Sequence, residues 1–205
     1  MPRRNPELNK IGRSENRTQK LLSVLEKRQP TLTVVAENII DPHNLSALLR
    51  SCEAVGVWEI CLVYDGSQPF PNLEKSSSAS AYKWVNTKKF TSIQECYKYL
   101  REQGKKIYTT HMSRDAKSLY NLNLTEPVAL VFGNEHNGIS DTAVELADAN
   151  FLIPQVGMIQ SLNISVACAV SLYEAFRQRL KKGMYETSQL DENQLKMNLD
   201  EWCKK

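Results

Sequence analysis

Short apolar runs rich in β-branched residues take turns along this chain with longer segments whose apolar side chains recur every three or four positions. The runs at 31–39 (TLTVVAENI), 58–64, 106–110, 128–132 and 151–153 predict strands. The segments 17–28, 44–55, 91–103, 141–147 and 161–179 predict helices. Residues 76–80 fit either a short helix or a loop, and Leu195, Leu199 and Trp202 mark a last helical stripe. Strands and helices thus alternate along the chain. They predict an α/β fold, a mostly parallel sheet with helices on both faces. The run VALVF (128–132), apolar at every position, suits a central strand covered on both sides.

In such a sheet, ligands bind where strands give way to loops and helices. Three polar clusters fall at such places: NLSALLR (44–50), GNEHNG (133–138) and IPQVGMIQSLNIS (153–165). With eight glycines and no two of them separated by a single residue, the chain has neither a GxGxxG fingerprint nor a P-loop. A nucleotide-like cofactor would therefore be held by other loops.

Each cluster has a plain structural reading beside a functional one. Asn44 is a natural helix cap. Arg50 lies about 240° from it around a helix, so the two do not share a face. Following Leu48 and Leu49, Arg50 should run its stem along buried surface and pair with a carboxylate, or else aim at a phosphate or a developing negative charge. Glu135 could cap a turn, accept hydrogen bonds from a substrate, or pair with Arg50. Gly133, at a strand end, permits close approach of its backbone to a ligand. Ser161 reads as the cap of the long helix, whose amides suit an anionic or carbonyl-bearing ligand. His43, His111 and His136 share no spacing, and the five scattered cysteines form no CxxC pair, so no metal site is expected.

Charge is unevenly spread. Residues 1–30 carry eight basic and three acidic side chains, a net +5, so the remainder sums to −2. A basic arm of this kind fits either a phosphate-rich partner or a solvated tail. No run of 18 apolar residues exists and the first residues lack a signal-peptide core, so the expectation is a cytoplasmic protein with reduced thiols and no membrane span. The helix at 161–179 holds Ser165, Ala167, Cys168, Ala169 and Ser171, small enough for close packing within the core or against a second subunit.

In this order, DPHNLSALLRSCEAVGV, LVFGNEHNGIS and IPQVGMIQSLNISVA resemble the three motifs of the SPOUT methyltransferases, in particular the TrmH (SpoU) group of RNA ribose 2′-O-methyltransferases, over roughly residues 19–180. Gln155 departs from a position where methionine is frequent. The resemblance implies a deep C-terminal trefoil knot, a homodimer and S-adenosyl-L-methionine as cofactor. It places Thr110, Gly133, Ile153 and Leu162 at the cofactor, and Arg50, Asn44, Glu135, Ser161 and Asn163 in catalysis. With a basic N-terminal extension (1–30) before the methyltransferase domain (31–180) and a C-terminal extension (181–205), the layout is similar to group members that act on tRNA, the expected target being guanosine 18 of the D-loop. Another tRNA or rRNA ribose, a catalytically silent RNA-binding protein, and a small-molecule enzyme are the alternatives.

Overall fold

The computed structural model describes residues 6–66, 69–71, 81–113, 115–159 and 161–205, with side chains from residue 15 onward. The stretch 76–80 and Gln160 lie outside the described residues. The chain divides into two units, Gln29–Lys182 and a smaller one in which Met1–Arg28 joins Gly183–Lys205.

The larger unit is an α/β layer structure. Its elements are β1 (Gln29–Glu37), α2 (Pro42–Ala54), β2 (Val57–Val63), β3 (Asn86–Phe90), α3 (Ile93–Glu102), β4 (Lys106–Thr110), β5 (Lys117–Ser118), β6 (Val128–Phe132), α4 (Asp141–Glu145), β7 (Ala149–Leu152) and α5 (Ile164–Lys181). The helix preceding them, α1 (Pro6–Leu25), belongs to the smaller unit. The seven strands form one sheet in the order β3-β2-β1-β6-β4-β7-β5, and every pairing is parallel. β6 lies between β1 and β4, with Val34 opposite Leu130 on one side and Tyr108 opposite Leu130 on the other.

The period-two pleat sorts the central strands into two cores. Leu32, Val34, Ala36, Ile60, Leu62, Leu130 and Phe132 face Leu45, Leu48, Leu49 and Cys52 of α2 and Cys168, Leu172 and Ala175 of α5. Val35, Cys61, Val63, Ala129 and Val131 face Ile93, Cys96, Tyr97 and Leu100 of α3 and Ala143 of α4. Each fully buried leucine of this kind contributes roughly 1.5–3 kcal/mol. The small residues of α5 serve this packing: Cys168, Ser171 and Ala175 are buried, and α5 packs on α2.

Several boundaries differ from expectation, each for a local reason. α2 begins at Pro42, because the Asp41 side chain accepts from His43 N at 2.8 Å and caps the helix, and proline at the first position presets its φ. Asn44 is therefore inside the first turn and is not the cap. α5 begins at Ile164 with Asn163 as its cap, accepting from Ser165 N, so Ser161 is not the cap either. β3 and β5 were not expected: β3 reads NTKKF, a polar strand at the sheet edge, and β5 has two residues. Lys88 and Lys89 of β3 lie over the rings of Tyr99 and Phe70 at 4.3 and 5.3 Å, dressing that edge with charge.

In the smaller unit, α1 runs further toward the N-terminus than 17–28, and α6 (Glu192–Trp202) packs on it. Asp191 and Gln194 form a capping box at the start of α6. Trp202 is buried, while Leu195 and Leu199 are half-buried. The Arg28 guanidinium carbon lies 5.1 Å from the Trp202 ring centroid. Arg28 is thus withdrawn from the basic arm, leaving Arg17, Lys20 and Lys27 exposed. Arg3 and Arg4 lie outside the described residues, as do the side chains of Lys10 and Arg13.

Candidate active site

The C-terminal ends of β4, β6 and β7, the loops that follow them and the start of α5 enclose a cavity of about 510 Å³, within the usual range for small-molecule sites. Phe132, Phe151, Ile139, Ile164 and Ala167 give it an apolar floor, and Thr110, Asn134, Glu135, Ser161 and Asn163 a polar rim. All four residues expected at a cofactor, Thr110, Gly133, Ile153 and Leu162, line it. Thr110 is held in place by donating from Oγ1 to Val131 O at 3.0 Å.

Gly133 earns its identity differently from the expectation. A Cβ built there would come within 2.2 Å of Gly138 O, so the turn 133–138 closing on itself excludes a side chain. Asn134 N and Gly138 N donate to each other's carbonyls at 2.7 and 2.9 Å, and Asn134 Oδ1 accepts from His136 N and Asn137 N.

That turn presents Glu135 to the loop before α2. Ile40 N donates to Oε2 at 3.2 Å, and Asp41 N and Asn44 Nδ2 donate to Oε1 at 3.3 and 2.9 Å. Asn44 in turn accepts on Oδ1 from Asn163 Nδ2 at 3.1 Å. Asn163 Oδ1 accepts from Ser165 N and Oγ at 2.8 and 2.6 Å. One continuous chain of hydrogen bonds therefore joins the three polar clusters, across 91 and 119 residues of sequence. With three donors on its two oxygens, Glu135 is engaged as an acceptor and does not pair with Arg50.

Ser161 is exposed at the cavity wall. Arg50 is not brought into the cavity: it lies further along α2, exposed, with no hydrogen bond or ion pair among the described residues, so the expected buried stem and carboxylate partner are absent. Two histidines that spacing could not place, His111 and His136, line the cavity, as do Met112 and Gln155. Among the described residues no three His, Cys, Asp or Glu side chains gather as a metal site, and no helix is long and apolar enough to cross a membrane.

Near the site, burial and the charge of Glu135 push the Tyr64 phenol well above its usual value, and its hydroxyl donates to Ile39 O at 2.8 Å. Tyr64 is therefore a neutral donor that fixes the loop beneath Glu135.

Known proteins share this architecture. The chain is 42% identical over 193 residues, 94% of its length and 98% of the relative's, to a tRNA (guanosine(18)-2′-O)-methyltransferase of Thermus thermophilus. It is 41% identical over 178 residues, 86% of its length and 77% of the relative's, to the Escherichia coli K12 protein of that name. The crystal structure of the Aquifex aeolicus TrmH/SpoU tRNA modifying enzyme superposes with a TM-score of 0.85 at 38% identity, covering 93% of this chain and 96% of that one. The profile of the SpoU rRNA Methylase family matches residues 31–173, the span that holds all three clusters and the sheet but for the first two residues of β1, and the chain belongs to that family.

Proposed function

We propose that this chain transfers a methyl group from S-adenosyl-L-methionine to a tRNA ribose 2′-hydroxyl, that of guanosine 18 in the D-loop. The observation that carries the reading is the hydrogen-bond chain Glu135–Asn44–Asn163 at the rim of the cavity. It gathers side chains suited to a ribose and a phosphate beside a pocket suited to a nucleoside. The relatives bearing the guanosine-18 name, alike over nearly the whole chain, support the choice of RNA.

The cavity fits the cofactor by its chemistry: an apolar floor for a purine and a thioether stem, and polar atoms of Thr110 and the 133–138 turn for its hydroxyl and amino groups. Thr110, Gly133, Ile153 and Leu162 would hold it. When bound, it supplies an electrophilic methyl carbon on a positively charged sulfur. The chain's own residues do the rest. Asn44, Asn163 and Ser161 orient the ribose and its phosphate. Glu135, its oxygens taken up by Ile40, Asp41 and Asn44, braces that arrangement. Arg50, exposed and without a carboxylate partner among the described residues, stabilises the ribose oxygen as it gains negative charge, or the adjacent phosphate, and the 2′-hydroxyl proton leaves to solvent as the new C–O bond forms.

The family's trefoil knot belongs to this reading, supported by β6 and β7 flanking β4 while β5 lies beyond them. So does a homodimer in the cytoplasm: Val166, Tyr173 and Leu180, seven residues apart on α5, are exposed, as are Val156, Met158 and Ile159 of the preceding loop. The basic arm of residues 1–30 and the extension 181–205 then serve as flanking segments for RNA phosphates, around a methyltransferase domain of 31–180.

The test is methyl transfer from labelled cofactor to an unmodified tRNA transcript with the position mapped. Label at the D-loop guanosine is expected, and label confined to another ribose overturns the target. Arg50→Ala is expected to lower kcat by about 10²-fold or more while cofactor affinity stays within a few-fold. A fully active variant removes Arg50 from the chemistry.

A further inference from the structure

At the end of β1, Asn38 adopts φ +50, the one positive φ of a non-glycine among the described residues. A left-handed residue with a Cβ is unfavourable by roughly 1 kcal/mol, least so for asparagine, and persists where its surroundings fix it. Here Asn38 N donates to Val63 O at 2.9 Å. Asn38 and Asp65 also clasp each other: Asn38 Nδ2 donates to Asp65 Oδ2 at 3.1 Å, and Asp65 N donates to Asn38 Oδ1 at 3.3 Å. The turn aims the Asn38 carbonyl at Asn134 Nδ2, which donates to it at 2.7 Å. Two residues on, the amides of Ile40 and Asp41 reach Glu135. Both ends of the Asn134–Glu135 pair are thus set by one loop of four residues, and that loop is set by the clasp.

We propose that Asn38 and Asp65 are a positioning pair for methyl transfer. Neither lines the cavity, and Asp65 is exposed at the end of β2. They act through the 38–41 loop, which holds Glu135 against Asn44 and, through Asn44, Asn163. Loosening the clasp leaves the cofactor pocket intact and lets the rim that orients the ribose drift. The inference rests on the methyltransferase reading above.

The experiment is steady-state kinetics of the full chain on an unmodified tRNA transcript. Asn38→Asp sets a carboxylate against Asp65 and is expected to lower kcat about tenfold with KM for the cofactor within about twofold. The swapped pair, Asn38→Asp with Asp65→Asn, restores one donor and one acceptor and is expected to recover kcat to within about threefold of the parent. A side chain that served only folding would change the melting temperature without this split and without this rescue. Asp65→Ala alters an exposed side chain and keeps the question open to test should Asn38→Asp not fold; a loss of about threefold in kcat is expected. Full kcat in Asn38→Asp or Asp65→Ala, or a swapped pair no better than the single variant, overturns the proposal. An inactive parent chain would instead overturn the methyltransferase reading itself.

Discussion

A guanidinium with no exposed surface needs each of its five N–H donors answered, and Arg179 has that. Nε donates to Leu124 O at 2.8 Å, Nη1 to Gln29 Oε1 and Thr31 Oγ1, and Nη2 to Thr31 O and Glu126 O. It ties the end of α5 to the start of β1 and to the segment before β6. Arg179→Met leaves the buried Leu124 carbonyl and the part-buried carbonyls of Thr31 and Glu126 without this donor and is expected to destabilise the chain by about 3 kcal/mol in urea unfolding. Nothing in the sequence marks Arg179 off from Arg177 two residues earlier, which is exposed and bonds Glu174 through both Nε and Nη2 at 2.8 Å. Arg177, aided by Gln178, holds the Glu174 carboxyl below the usual carboxylate range. A lowered native value means that this contribution is complete above the unfolded carboxylate's pKa and is lost as pH falls through the native one. Glu174→Gln should therefore flatten the slope of stability against pH below about pH 4.5, by less than about 1 kcal/mol because the guanidinium faces solvent. At the site, the motif residues Asn44, Glu135 and Asn163 were legible one by one, whereas their mutual bonding was not, because it depends on loops 91 and 119 residues apart. Arg50 shows the reverse: its neighbours Leu48 and Leu49 are buried, yet a helix turns 100° per residue and carries the next side chain into solvent.

Elements were readable where packing and pattern agree. β6 falls at the expected residues 128–132 because a strand buried on both faces is apolar without interruption, and β4 (KIYTT) falls at 106–110 because its β-branched Ile107, Thr109 and Thr110 favour a strand. β3 was unreadable because an edge strand takes its hydrogen bonds from one neighbour and is free to be polar. Helix starts went astray where several residues could cap. Asp41, not Asn44, caps α2, since proline at the first position demands its φ one residue after the cap. Asp41→Ala removes that acceptor from the His43 amide and is expected to cost about 1 kcal/mol, read as a lower urea midpoint with an unchanged slope; Asp41→Asn should be close to neutral.

At the scale of the molecule, four of five thiols are sealed in the sheet–helix layers and only Cys203 is exposed. Hydrogen bonding with Cys96 and burial push the Cys61 thiol far up, and burial beside Cys52 does the same for Cys168. The folded chain should react with one equivalent of Ellman's reagent, at Cys203, and with five after denaturation. Fast labelling of a second thiol would show that a layer opens. The sheet order carries one more consequence. Because β6 occupies the seat between β1 and β4, those two strands face a gap until residues 128–132 have been synthesised. A nascent chain leaving the ribosome up to β5 thus holds two unsatisfied strand edges at what will become the middle of the protein, and its growth, not its first hundred residues, times the moment at which the fold can close.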